Sequence, residues 1–241
     1  ALLTPSLLRE AGAELSGEDQ ERLGTNLAVQ PEVRVWARFD DEVRGWNEVP
    51  DGYSVSEFLG DGIWIHGSFV PPAQAALQLS RLGLTGKRIL SGFDHLGAFS
   101  ALIADAGSGR VERKAGGELS VTYALGEEDR RRLLRGVART AEIFFAAGAK
   151  EVYSGVPAKP ILRTPADAQD LVAEAMRPRD LLLLAYHPMG TTPMSDDRRR
   201  GVVSSYGQVH SIRDLYVCDA GLLPTSLGVP PKLTIMALAL R

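Results

Sequence analysis

With one cysteine in 241 residues, Cys218, the chain cannot form an intrachain disulfide or a cysteine-built metal cluster. Histidine is also scarce, at four residues, and neither His66 nor His95 has a carboxylate or cysteine at metal-ligand spacing, so no metal site is assigned. No stretch approaches the roughly 20 consecutive apolar residues that cross a bilayer. The first residues lack the charged-then-apolar pattern of a targeting peptide. No Gly-x-Gly-x-x-Gly follows a strand pattern, and no Gly-x-Ser-x-Gly turn marks a hydrolase nucleophile. Nor is there an excess of positive charge. The net charge is −3, with Lys and Arg spread along the chain, which argues against a nucleic-acid surface or an anionic membrane face. The densest basic run, Arg130 to Arg132, sits beside Glu127, Glu128 and Asp129, and reads as the wet face of a helix.

What remains is the composition of a folded protein. At 44% hydrophobic residues the chain can bury one large core or two small ones. It opens on Ala1 and stops at Arg241 within an apolar run that has no stop signal, so both ends are expected to be cut from a longer protein.

Thr4-Pro5 opens a short helix predicted to stop at Gly12 and to be followed by a loop. Val33, Val35, Ala37 and Phe39 alternate with Arg34, Trp36 and Arg38, the pattern of a strand with one face in water. Strands are expected at Gly62 to Val70, Ala98 to Asp105, Gly109 to Lys114 and Leu119 to Leu125, the last three as a meander punctuated by Ala106-Gly107-Ser108-Gly109 and Ala115-Gly116-Gly117. The clearest helix starts at Glu127 and stops at Gly148, with Leu133, Leu134, Val137, Ala141, Phe144 and Phe145 at helical spacing. Thr164-Pro165-Ala166-Asp167 combines an N-cap, a first-turn proline and an acidic third position, opening a helix that should end near Met176. Two apolar strands, Leu181 to Ala185 and Leu215 to Cys218, run into His187 and Asp219. Cys218 is expected in the core. Pro231 to Arg241 is apolar almost all round and reads as a buried helix opened by proline.

Loops at the ends of buried strands commonly carry reactive groups, which singles out His187 and Asp219. A loop histidine can equally be structural, and an aspartate before Ala220-Gly221 can simply close its own turn. Trp36, Trp46 and Trp64 suit core packing or the wall of a substrate cavity. The residues leading into the last helix, Gly228-Val229-Pro230-Pro231, place free N–H groups where an anion or backbone acceptor is needed.

Taken in order, His187-Pro188-Met189-Gly190-Thr191, Gly201-Val202-Val203, Leu215-Tyr216-Val217-x-Asp219-Ala220, Pro224-Thr225-Ser226 and Gly228-Val229-x-Pro231-x-x-Thr234-Ile235-x-Ala237 form a recurrent pattern. This set resembles the C-terminal signature of the glucose-methanol-choline oxidoreductases, nearest the cholesterol oxidase and long-chain alcohol oxidase branch. Thr4-Pro5-x-Leu7-Leu8 and Leu23-Gly24-x-Asn26-Leu27 are similar to an upstream signature and the loop after it, whereas residues 31 to 180 match in outline. The resemblance implies an α+β chain. Residues 1–30 would be an end piece of a Rossmann-like FAD-binding domain, most of which is missing, 31–180 an antiparallel-sheet substrate domain with helices, and 181–241 a segment returning to the FAD domain.

It further implies FAD as cofactor, a small-molecule alcohol as substrate and the absent N-terminal FAD-binding portion as partner. His187 would take the hydroxyl proton, a task suited to an ordinary pKa near 6.5, while a hydride passes from carbon to flavin N5. Asp219 and Ala220 would lie along the ribityl chain, and Pro231, Lys232 and Thr234 at the helix start facing the flavin. One position departs from the family. Where it has a second catalytic Asn or His, this chain has Pro230, whose side chain neither donates nor accepts, and a catalytically silent member of the fold is therefore an alternative.

Overall fold

A computed structural model of the chain describes residues 1–10, 15–47, 49–79, 82–107, 109–173, 177 and 180–241. Its helices are α1 (Thr4–Glu10), α2 (Gly17–Arg22), α3 (Pro72–Leu79), α4 (Leu84–Leu90), α5 (Glu127–Ala146), α6 (Pro165–Ala173) and α7 (Lys232–Ala239). Its strands are β1 (Glu32–Arg38), β2 (Ser54–Val55), β3 (Ile63–Gly67), β4 (Leu96–Ile103), β5 (Arg110–Arg113), β6 (Leu119–Thr122), β7 (Glu151–Tyr153), β8 (Ile161–Leu162) and β9 (Leu183–Leu184). They divide into two compact units, one of residues 1–30, 104–126 and 185–241, the other of 31–103 and 127–184.

In the second unit an antiparallel sheet runs β2-β3-β4-β1-β7-β8, with β9 also paired to β1. β1 is thus a central strand. Its first six residues are all buried, so the expectation that one face meets water fails: the arginines and Trp36 on the alternate positions lie inside too, except for the partly open Arg38. Strand alternation reports which side chains share a face, not whether a face is covered. The predicted meander also fails. β4 pairs with β1 and β3 in this sheet, whereas β5 and β6 form a separate hairpin in the other unit.

The long helix α5 lies on one face of the sheet. Leu133, Leu134, Val137, Ala141 and Phe144 are buried as its spacing predicted, and Gly136 lets the helix approach Ala101 and Ile63, since an added Cβ would stand 3.0 and 3.1 Å from them. Burial of each large apolar side chain contributes about 1.5–3 kcal/mol. Gly148, at φ +94°, follows the end of the helix. Arg130 departs from the solvated reading of the basic run. It is buried, and its guanidinium donates to Glu127, whose carboxyl pKa that contact draws down to about 2. The arginine stem packs while the charge is answered locally.

At α6 the capping box forms in both directions: the Asp167 amide donates to Thr164 Oγ1 at 3.2 Å and the Thr164 amide to Asp167 Oδ2 at 2.9 Å. The predicted end near Met176, like the stop at Gly12, lies outside the described residues. Helices α2, α3 and α4 were not expected. Each is short and lacks a long apolar stripe, and α2 is signalled locally by Ser16, whose hydroxyl accepts from the Asp19 amide at 3.1 Å.

In the first unit, Leu215 to Cys218 is not a regular strand; Tyr216 makes only an isolated bridge with Gln208. Cys218 is exposed, because alternation around the buried Val217 turns it outward. The last helix is also a correction. α7 has no buried residue, and Leu233 and Leu240 are 77% and 88% exposed.

Candidate active site

Three segments distant in sequence are knitted together in the first unit. The amides of Gly190, Thr192 and Met194 donate to the carbonyls of Ala220, Gly221 and Leu222 at 3.2, 3.0 and 2.9 Å. On the other side the amide of Gly24 donates to Thr191 O at 2.8 Å, and Ala28 and Met189 exchange backbone hydrogen bonds. Gly190 is required at this crossing. Its φ is +85°, and a Cβ there would lie 2.4 Å from the Asn26 carbonyl. The His187-to-Thr191 loop is therefore held on both flanks, with Met189 in a small core alongside Ala28, Ala220 and Leu223.

His187 sits at the open end of this arrangement, half-buried, with its ring edge-on to Tyr186 at 6.5 Å between centroids. Asp219 closes the turn that carries Ala220. Its Oδ1 accepts from the Gly221 amide at 2.6 Å, and its Oδ2 accepts from the Thr4 hydroxyl. Thr4 thus serves Asp219, and α1 already begins at Thr4 instead of after it as a cap.

The third segment arrives through Gln30, whose amide donates to Val229 O at 3.2 Å in the turn before α7. Pro231 occupies the N-cap position without a side-chain cap, and Lys232 and Thr234 in the first turn are exposed. Near this turn Gln30 Oε1 and Ser226 Oγ are buried and have no hydrogen-bond partner among the described residues. Ile235 and Leu238 of α7 pack against the core that holds Met189 and Ala220. The fold therefore gathers the His187 loop, the Asp219-Ala220 turn and the start of α7 around one cluster. Pro230 is exposed beside it.

A second polar centre, which the sequence reading missed, lies in the sheet unit. Glu32 is 1% exposed; its Oε1 accepts from the Ser100 hydroxyl at 2.8 Å, and its Oε2 faces His66 Nε2 at 3.4 Å. His66 Nδ1 is 2.9 Å from the Gly67 carbonyl and 3.5 Å from Asp51 Oδ1. Both ring nitrogens face acceptors, an arrangement that the imidazolium satisfies in full. Burial alone would lower the His66 pKa, yet Glu32, then Gly67 and Asp51, raise it above its ordinary value. Burial would likewise lift the Glu32 carboxyl, and His66, Ser100 and Arg34 bring it below the usual range. Arg34 completes the network through Ser68 at 3.1 Å and Gln78 at 2.8 Å. The signal available in the sequence was Glu32 and Arg34 within an apolar strand, where charge survives only if paired.

Residues 108–239 match the C-terminal model of the GMC oxidoreductases. A GMC-type oxidoreductase of Mycobacterium tuberculosis is 35% identical over 238 residues, 98% of this chain and 37% of that protein. A long-chain-alcohol oxidase of Arabidopsis thaliana is 25% identical over 263 residues, 99% of this chain and 34% of that protein. Among solved structures, pyridoxine 4-oxidase from Mesorbium loti superposes with a TM-score of 0.57 at 16% identity, over 90% of this chain and 42% of that one. Formate oxidase of Aspergillus oryzae gives 0.55 at 14% identity, over 98% and 51%. The chain thus spans little more than a third of the length of the first of these sequence relatives, and the structural likeness is one of fold. By the extent of the match to its C-terminal part, the chain belongs to the GMC oxidoreductase family.

Proposed function

We propose that this chain is the C-terminal part of an FAD-dependent oxidoreductase that oxidises the CH–OH group of a small-molecule alcohol. On this reading residues 1–30 and 181–241 belong with an N-terminal FAD-binding portion, and 31–180 is mainly the substrate-binding domain. The observation that carries the proposal is the convergence of the His187 loop, the Asp219-Ala220 turn and the start of α7 on one cluster.

The residues present suit a flavin. The start of α7 has no side-chain cap, so its first amides are available to an acceptor, and the helix dipole favours negative charge there. The buried oxygens of Gln30 and Ser226 offer further polar contacts near the preceding turn. Lys232 adds a positive charge. Pro231 has no N–H of its own, so Lys232, Leu233 and Thr234 supply the donors. Bound there, FAD would supply the hydride acceptor. Asp219 has both carboxylate oxygens engaged within the protein, so it acts by fixing the turn and presenting the backbone at Ala220. His187 takes the substrate's hydroxyl proton as the C–H bond is broken, and the clamp on Gly190 and Thr192 holds the loop that carries it.

Pro230 supports a second reading, a silent member of the fold that binds without turnover, because its side chain cannot hold the substrate oxygen. One experiment separates the two: flavin absorbance and its bleaching by alcohols, measured anaerobically on the full-length protein and on His187→Ala. Bleaching that slows by about a hundredfold or more in the variant supports oxidation with His187 as base. Bound flavin that no alcohol bleaches establishes the silent reading, and absence of flavin refutes both.

A further inference from the structure

The sheet unit contains a pocket that the oxidation chemistry above does not use. It is a cavity of about 180 Å³ on the face of β1 that carries Arg34 and Trp36. Its walls are apolar, chiefly Trp36, Leu82, Tyr153 and Leu183, and its polar end is formed by Arg34 and Gln78. The order of hydrogen bonds decides what that end can offer. Arg34 Nη1 donates to Gln78 Oε1 at 2.8 Å, which occupies the amide oxygen and leaves the amide NH₂ as the group Gln78 can present. The other terminal nitrogen of Arg34 is 3.7 Å from Glu32 Oε1, beyond hydrogen-bond distance. Guanidinium and amide therefore both act as donors. Behind them Glu32 stands between Arg34 and His66, and the exposed Asp51 faces the other nitrogen of the His66 ring at 3.5 Å. A site with apolar walls and, at one end, a guanidinium and an amide that both donate selects an apolar molecule ending in an anionic acceptor.

We infer that this pocket binds a monocarboxylate with a short apolar tail, its carboxylate on Arg34 and Gln78 and its tail between Trp36, Tyr153 and Leu183. The size sets the tail: a cavity near 150 Å³ holds benzene, so this one takes a single ring or roughly six to eight methylene carbons. The pocket lies wholly within residues 31–184 of the sheet unit, so the inference stands or falls separately from flavin binding and from His187.

The test uses the full-length protein, sodium octanoate as probe, and calorimetry as readout. Octan-1-ol and octylamine serve as controls of equal tail length. Octanoate is expected to bind saturably at one site, about ten- to a hundredfold more tightly than octan-1-ol, as befits a charged hydrogen bond of about 1.5–3 kcal/mol. Two variants localise it. Gln78→Glu places a carboxylate beside Arg34 and should abolish octanoate binding while sparing the alcohol; Leu183→Trp fills the cavity and should remove both. Gln78 is half-exposed on α3, and in Gln78→Glu a side-chain oxygen is still there to accept from Arg34, so the fold should persist, which circular dichroism checks for each variant. Octan-1-ol or octylamine binding as tightly as octanoate overturns the inference. So does no saturable binding of octanoate, or octanoate affinity unchanged in Leu183→Trp.

Discussion

Replacing His66 with leucine removes one partner from a buried ion pair while keeping a side chain of comparable bulk. In the parent, Glu32 is answered by His66 and Ser100, and Arg34 stands 3.7 Å away. Stripping the imidazolium leaves a carboxylate that is 1% exposed with one hydrogen bond and one more distant cation. Breaking a buried pair in this way costs about 3–5 kcal/mol, and we take the lower end because Arg34 remains. That is on the order of a hundredfold in the folding equilibrium. The loss depends on pH in a defined direction. The His66 pKa is raised above 6.5 in the folded state, so its stabilisation is complete below 6.5 and fades as pH rises through the folded value. The Glu32 pKa is lowered from 4.5, so its share is present above 4.5 and fades as pH falls through its folded value. The pair is at full strength between the two.

Tryptophan fluorescence reads this without interference, since Trp36, Trp46 and Trp64 all belong to the sheet unit. His66 also stacks on Trp64, with ring centroids 4.3 Å apart and planes 12° apart, so protonation of the imidazole should itself change the emission. Urea titrations of parent and variant should differ by about 3 kcal/mol near pH 6, and the gap should narrow well above the raised His66 value. An equal gap near pH 6 and well above the raised His66 value would show that the ring contributes only packing, and the ion-pair account would be wrong.

Gly155→Ala should destabilise the same unit by about 2 kcal/mol or more, because φ is +70° and the new Cβ would meet Val33 Cγ1 at 2.6 Å and the Arg34 carbonyl at 2.7 Å; an unchanged urea midpoint would contradict this. In the other unit Asp105 accepts from the Val29 and Gln30 amides and the Tyr123 hydroxyl, so Asp105→Ala should cost about 3 kcal/mol and speed hydrogen exchange at residues 29 and 30, an effect absent if the carboxylate is dispensable. On the proposed oxidation, Pro230→Asn in the full-length protein should raise the rate of flavin bleaching by alcohol about tenfold or more, by restoring a polar side chain at the second catalytic position. No gain would mean that another group holds the substrate oxygen.

Local chemistry made some of this structure readable. The span of α5 follows from three acidic residues at its start, an apolar stripe and Gly148, and the capping box at Thr164 forms as its spacing requires. These features are decided within a few residues, where capping and periodicity act. Central position in a sheet is decided elsewhere. β1 was expected to have a wet face because Arg34 and Arg38 alternate with valines, yet Arg34 is buried by partners at positions 68 and 78, and Glu32 by partners at 66 and 100. No window along the strand contains that information. The pocket and its buried charges escaped notice for the same reason.

The last helix shows the complementary failure. Leu233, Ile235, Met236, Ala237, Leu238 and Leu240 announce an apolar helix, and the helix forms, but only Ile235 and Leu238 lean on a core. Hydrophobic pattern identifies a surface that avoids water without identifying what covers it. Exposed Leu233 and Met236 on α7 and Leu240 just after it, with Leu3 and Leu7 beside and within α1, leave the first unit with uncovered apolar surface. The proposed reading accounts for this economically. Segments 1–30 and 181–241 would each contribute to a core completed by the N-terminal FAD-binding portion, and the uncovered apolar faces of α7 would meet partners from that portion. On the same reading the uncapped start of α7 would keep its amides free for a polar ligand, for which a side-chain cap would compete.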